Sequence, residues 1–115
     1  MKRKMFINLI VIFLILGNVA CKKVDVPKGT PSCIKKEIRK NEDCISKVIK
    51  YDYQGKTVYL FEPATDPSCS YIVYDEDCDY LCSPSGGIDG NGDGKCPDFY
   101  QTAIEKEIIW TNNNN

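Results

Sequence analysis

Six cysteines, Cys33, Cys44, Cys69, Cys78, Cys82 and Cys96, are spread between residues 33 and 96 of a 115-residue chain. No other feature restricts the fold as strongly. A chain this short has room for one small domain, and such a domain buries too little apolar surface to rely on its core alone. Paired cysteines supply the missing constraint in an oxidising compartment, and three disulfides are expected. The sequence leaves most of the connectivity open. A zinc site built from Cys69, Cys78, Cys82 and Cys96 is the alternative. It has against it the lack of any Cys-x-x-Cys pair and of any histidine.

The seventh cysteine, Cys21, stands apart. Lys2, Arg3 and Lys4 precede an apolar run from Phe6 to Leu16, broken only by Asn8. That run is short for a membrane span, which takes about 20 apolar residues, and reads instead as an export signal. Gly17-Asn18-Val19-Ala20-Cys21 follows and resembles a bacterial lipoprotein box, in which the cysteine is lipidated and becomes the new N-terminus. Val19 and Ala20 fit that pattern, while Asn18 stands where an aliphatic residue is usual. The expected organisation is a lipoprotein signal peptide over 1–20, a tether over 21–29, one domain over 30–111 and a disordered asparagine tail over 112–115.

Charge narrows the partners. The whole chain carries −1, and removing the signal with its three basic residues leaves −4. That argues against a nucleic-acid partner, because phosphate binding needs a basic face. The charge is divided along the sequence: residues 22–56 hold ten Lys or Arg and five acids, residues 57–115 two Lys and eleven acids. Two solvated faces of opposite sign are the expected outcome.

Periodicity predicts an α+β domain, one N-terminal helix packed on a small antiparallel β-meander. Thr30-Pro31 has the chemistry of a helix start, with threonine as the cap. Ile34, Ile38 and Ile45 fall on one helical face, and Lys35, Lys36, Arg39 and Lys40 on the others. Ile49, Tyr51 and Tyr53 alternate with polar residues, Gln54-Gly55 is a two-residue turn, and Val58–Phe61 forms the second strand of a hairpin. Pro63 and Pro67 place Glu62–Ser68 in a loop. Tyr71–Tyr74 and Asp79–Cys82 are strands about a tight turn. Glu107–Trp110 is a short fifth strand with Ile108 and Trp110 inward. Tyr51, Tyr53, Tyr59, Tyr71 and Tyr74 are expected to be core rather than a binding patch.

Two stretches carry possible chemistry. Asp75, Glu76, Asp77 and Asp79 crowd one turn, where acids are usually solvated. With no histidine for a nucleophilic triad, no enzymatic activity is expected. Residues 83–95 contain five glycines and little apolar bulk, so the segment needs a crosslink, and Cys82 and Cys96 are expected to bond to each other. Asp89, Asn91 and Asp93, with Gly94 after them, match the first half of a calcium loop. The closing glutamate is missing, since Tyr100 takes its place. The alternative is a structural loop with glycines at positive φ and Asp93 bonded to backbone amides.

Tyr74-Asp75, Cys78, Cys82-x-Pro84-x-Gly86-Gly87 and Gly90-x-Gly92-Asp93-Gly94-x-Cys96-Pro97-Asp98-Phe99 together resemble an uncharacterised family of small Bacteroidetes-type lipoproteins. Lys28-Gly29-Thr30-Pro31, Cys33-Ile34 and Gly55-Lys56-x-Val58-Tyr59 fit the same family, to which Cys44 is an addition. The resemblance implies a location, the cell envelope and its outer membrane, and an architecture, but no activity. The expected role is a membrane-tethered binding or structural module, held through the lipid on Cys21 and meeting a protein or glycan partner. A tethered inhibitor of a secreted enzyme is the alternative, since Asp77-Cys78-x-x-Leu81-Cys82 is faintly similar to part of a Kazal-type inhibitor. A weak calcium-binding module is a further one.

Overall fold

The computed structural model describes residues 24–65 and 69–113. Residues 1–23, with the expected signal peptide and Cys21, and the last two asparagines lie outside the described residues. Helix α1 spans Ser32–Asn41, followed by strands β1 (Ile45–Tyr53), β2 (Lys56–Pro63), β3 (Ile72–Asp75) and β4 (Tyr80–Cys82), a single-turn helix α2 (Phe99–Thr102), and strand β5 (Ile104–Thr111). All five strands join one antiparallel sheet in the order β4-β3-β2-β1-β5.

The first four strands form the expected meander, but β5 does not extend it. The chain leaves β4 at one edge, crosses the sheet through the glycine-rich loop and α2, and adds β5 beside β1 at the other edge. β2 therefore lies at the centre of the sheet and is buried on both faces. Val58, Tyr59, Leu60 and Phe61 are all in the core, as a continuous apolar run requires. Gln54 and Gly55, at φ 52° and 76°, make the two-residue turn joining β1 to β2. Positive φ at both positions matches the right-handed twist of the flanking strands.

On one face α1 sets Ile34 and Ile38 against Val48, Tyr59, Phe61 and Ile109. Each such side chain contributes about 1.5–3 kcal/mol on burial. Ile45 joins this cluster from the first residue of β1 and not from the helix, which ends at Asn41. Asn41 closes the helix itself: its side-chain amide donates to the Glu37 carbonyl at 2.8 Å, and its own carbonyl accepts from Cys44 N–H at the same distance. At the other end, Thr30 does not cap as expected. Its hydroxyl donates back to the Pro27 carbonyl at 2.7 Å, and Pro31 occupies the cap position with its carbonyl open to Ile34 and Lys35. The residues ahead of the helix also contribute to packing. Val24 and Val26 pack on the α1 side of the core, so the chain is already laid down on the domain there.

The opposite face is covered by the loop that follows β4. Cys82, Cys96 and Phe99 pack with Tyr53, Val58, Leu60 and Val73. The tyrosines are divided between the two faces: Tyr59 and Tyr74 lie on the helix side, Tyr51, Tyr53 and Tyr71 on the loop side. They are core or core-edge residues, as the sequence reading prefers.

The facing of β5 departs from that reading. Ile109 is 5% exposed while Ile108 is 49% exposed, and Trp110 packs at the edge of the helix-side cluster. Two register shifts between β1 and β5, at Val48/Ile49 and Lys50/Tyr51, break the simple alternation. A bulge changes which face the following residue meets, which period-two counting cannot foresee. β2 also runs two residues into the expected loop, because Pro63 sits at the strand terminus, where its missing N–H is tolerated. Asn112, expected in the frayed tail, is instead held: its side chain donates to the Glu42 carbonyl at 2.8 Å and its amide to the Ser46 carbonyl at 2.8 Å.

Candidate functional site

Three disulfides join parts distant in sequence: Cys33 to Cys78, Cys44 to Cys69 and Cys82 to Cys96, with Cα atoms 6.1, 5.7 and 5.9 Å apart. These separations suit disulfide geometry. Every cysteine of the zinc alternative is committed to a bridge, so no thiolate remains to bind a metal. Cys44, the apparent addition, has Cys69 as its partner. Cys33–Cys78 ties the start of α1 to the β3–β4 turn. Cys44–Cys69 ties the start of β1 to the segment before β3.

The third bridge closes the expected loop. Cys82 and Cys96 are both buried against the sheet, while residues 87–91 are exposed. Within the loop the backbone is bonded to itself. Gly92 N–H donates to the Gly86 carbonyl at 2.9 Å and Asp93 N–H to the Ser83 carbonyl at 3.0 Å. Gly92 has φ +72°, and a Cβ there would lie 1.9 Å from the Ser83 oxygen, so only glycine fits. Ile88 projects from the outer part of this loop, fully exposed at 110%.

The three calcium candidates sit on this loop, and the carboxylates of Asp89 and Asp93 accept hydrogen bonds from it and from Tyr80. Asp89 Oδ1 accepts from Asn91 N–H at 3.1 Å, and Asp93 Oδ1 from Lys95 N–H at 3.0 Å. Asp93 Oδ2 accepts from the Tyr80 hydroxyl, and the Lys95 ammonium lies 5.3 Å from the Tyr80 ring centre. The Tyr80 bond, with the Lys95 amide second, holds the Asp93 carboxyl below the usual carboxylate range. The same bond is the main cause that pushes the Tyr80 phenol up to about 12. Both Asp93 oxygens thus already serve protein donors, and a cation would have to compete for them.

Asp98, which follows Cys96-Pro97, has a role the sequence reading missed. It accepts from the Tyr53 hydroxyl at 2.7 Å and so fastens the end of the loop to the last residue of β1. Phe99 then enters the core edge-on to Tyr51 and Tyr53, with ring centres 4.9 and 5.1 Å away. The Cys96-Pro97-Asp98-Phe99 string signals that the chain re-enters the core at Phe99, but not that Asp98 meets Tyr53.

At the β3–β4 turn, Asp75, Asp77 and Asp79 bring one carboxylate oxygen each within 4.8 Å of the others. Asp75 Oδ1 accepts from the amides of Asp77 and Asp79, both at 2.9 Å, which shapes the turn in which Cys78 reaches φ +64°. Asp77 and Asp79 are exposed, as expected of solvated acids.

The fold and its bridges define a small disulfide-stapled α+β module whose crosslinked loop covers one sheet face. A family model described as a domain of unknown function, DUF6970, matches residues 34–112. The chain belongs to that family. No curated protein and no solved structure matches it. Among the described residues no helix is long and apolar enough to cross a membrane.

Proposed function

We propose that the chain is a cell-envelope lipoprotein, anchored through an acyl-modified Cys21, and that its domain is a binding or structural module held at the outer membrane. The observation that carries this reading is the complete pairing of the six cysteines after residue 30. Pairing of this kind belongs to an oxidising compartment, beyond the export signal. It also accounts for the odd count, with Cys21 placed after the apolar run for lipidation. No reaction is assigned to the module, and the rigid loop over residues 83–95 is its natural contact element for a protein or glycan partner.

Cys21→Ser tests the anchor. Intact mass and cell fractionation of the wild-type chain are expected to show acylated, membrane-bound protein. The variant is expected to lose both the added mass and the stable membrane association. A variant unchanged in mass and location sinks the reading. Ile88, exposed on a loop closed by Cys82–Cys96, favours a second reading, the tethered inhibitor. Inhibition of one member of a protease panel, abolished by Ile88→Gly, separates it from the first.

A further inference from the structure

Helix α1 has an outer face that the core does not use. Ile34 and Ile38 point to the sheet, and Lys35, Lys36, Arg39 and Lys40 are all exposed. At 100° per residue these four cover the side of the helix opposite the two isoleucines. Neither ion pair among the described residues, Lys47–Glu62 or Lys106–Asp52, involves α1. The one acid of the helix, Glu37, is occupied by the Asn41 side chain at 3.3 Å.

The path of the chain places this face relative to the anchor. Val24 and Val26 are packed on the α1 side of the core, and Cys21 precedes Val24 by only three residues, a reach of about 10 Å at full extension. The acyl group would then lie within one helix diameter of the domain, with Lys22 and Lys23 between them in sequence. The loop carrying Asp89, Asp93 and Asp98 lies across the sheet from α1.

We propose that the basic face of α1 docks on anionic phospholipid headgroups and fixes the orientation of the domain on the membrane, with the glycine-rich loop directed outward. The inference rests on the lipid-anchor reading for its geometry. Lys and Arg held within a Debye length of an anionic surface are attracted to it, and a short anchor keeps them there. Two groups of acids oppose this, one at each end of the helix, and Glu42 and Asp43 directly follow α1. Cys33–Cys78 holds Asp75, Glu76, Asp77 and Asp79 beside the start of α1.

The test is residue-resolved amine acetylation of the full chain on an excess of vesicles, either phosphatidylcholine alone or phosphatidylcholine mixed with phosphatidylglycerol. Acetylation of Lys36 and Lys40 is expected to fall about threefold or more on the anionic vesicles and to recover in high salt, while Lys95 stays unchanged. Equal labelling of Lys36 and Lys40 on both vesicles, or equal protection of Lys95, overturns the inference. So does protection that survives high salt. The mass of the Cys21 peptide is read in the same sample. An unmodified Cys21 fails the anchoring reading alone, whereas uniform labelling of an acylated chain fails the docking inference alone.

Discussion

Gly92 and Gly90 share nearly the same backbone, φ +72° and +79°, but not the same surroundings. A Cβ on Gly92 meets the Ser83 carbonyl and Ser85 nitrogen, while one on Gly90 meets nothing within 4 Å. Gly90→Ala is therefore expected to cost only the left-handed strain, about 1–2 kcal/mol, and Gly92→Ala distinctly more, because backbone must move. Denaturant melts of the two variants with disulfides intact check the order. Tyr80 and Asp93 are linked by one hydrogen bond, so each sets the other's titration. Asp93 is lowered in the folded state, so its contribution is present above the ordinary carboxylate range and is lost as pH falls through its depressed value. Tyr80 is raised from 10.0 to about 12, so its contribution is complete below 10.0 and is lost as pH rises through about 12. Tyr80→Phe should weaken both the acid and the alkaline dependence of the melting temperature. In an ultraviolet titration of the phenols it should remove one late transition and leave that of Tyr100, which burial pushes up to about 12.

At the scale of elements, β5 separates what sequence alone predicts from what it does not. Ile109→Ala is expected to cost about 2–5 kcal/mol and Ile108→Ala less than about 1 kcal/mol, measured by chemical denaturation. Simple alternation places Ile108 inward instead, but the pairing of β5 with β1 is interrupted by bulges. The helix and the β1–β2 hairpin were legible because their signals are local: Ile34 and Ile38 at helical spacing, Gln54-Gly55 between alternating runs. The Cys82–Cys96 bridge was legible from the poverty of apolar side chains between its ends. Three features were not. The partners of Cys33 and Cys44 depend on where the β3–β4 turn and the pre-β3 segment come to rest. The hydroxyl of Thr30 could accept from a helix amide or donate to the Pro27 carbonyl, and local sequence does not rank the two. Asp98 reads as a loop acid until the fold brings Tyr53, the end of β1, to meet it.

Over the whole molecule, the three bridges fasten different segments to one another, so their removal should have separable effects. Replacing Cys82 and Cys96 with alanine frees a loop with a sequence separation of 14 residues and is expected to remove about 3 kcal/mol. Under limited proteolysis, cleavage should appear first between residues 83 and 95 while α1 and the sheet stay resistant. Peptide mapping without reduction should return the three pairs described above and no others. On the export proposed above, the chain crosses a membrane N-terminus first, and the order of strands then has a further consequence. β1 is the earliest strand to emerge and β5 the latest, yet the two are neighbours. Until residue 111 has emerged, the outer edge of β1 has no strand beside it, and Val48 lacks the cover of Ile109 and Trp110. Cys33, Cys44, Cys69 and Cys78 all emerge before that strand. Oxidation before that point is therefore expected to include non-native pairs, which completion of the sheet by the final strand would resolve.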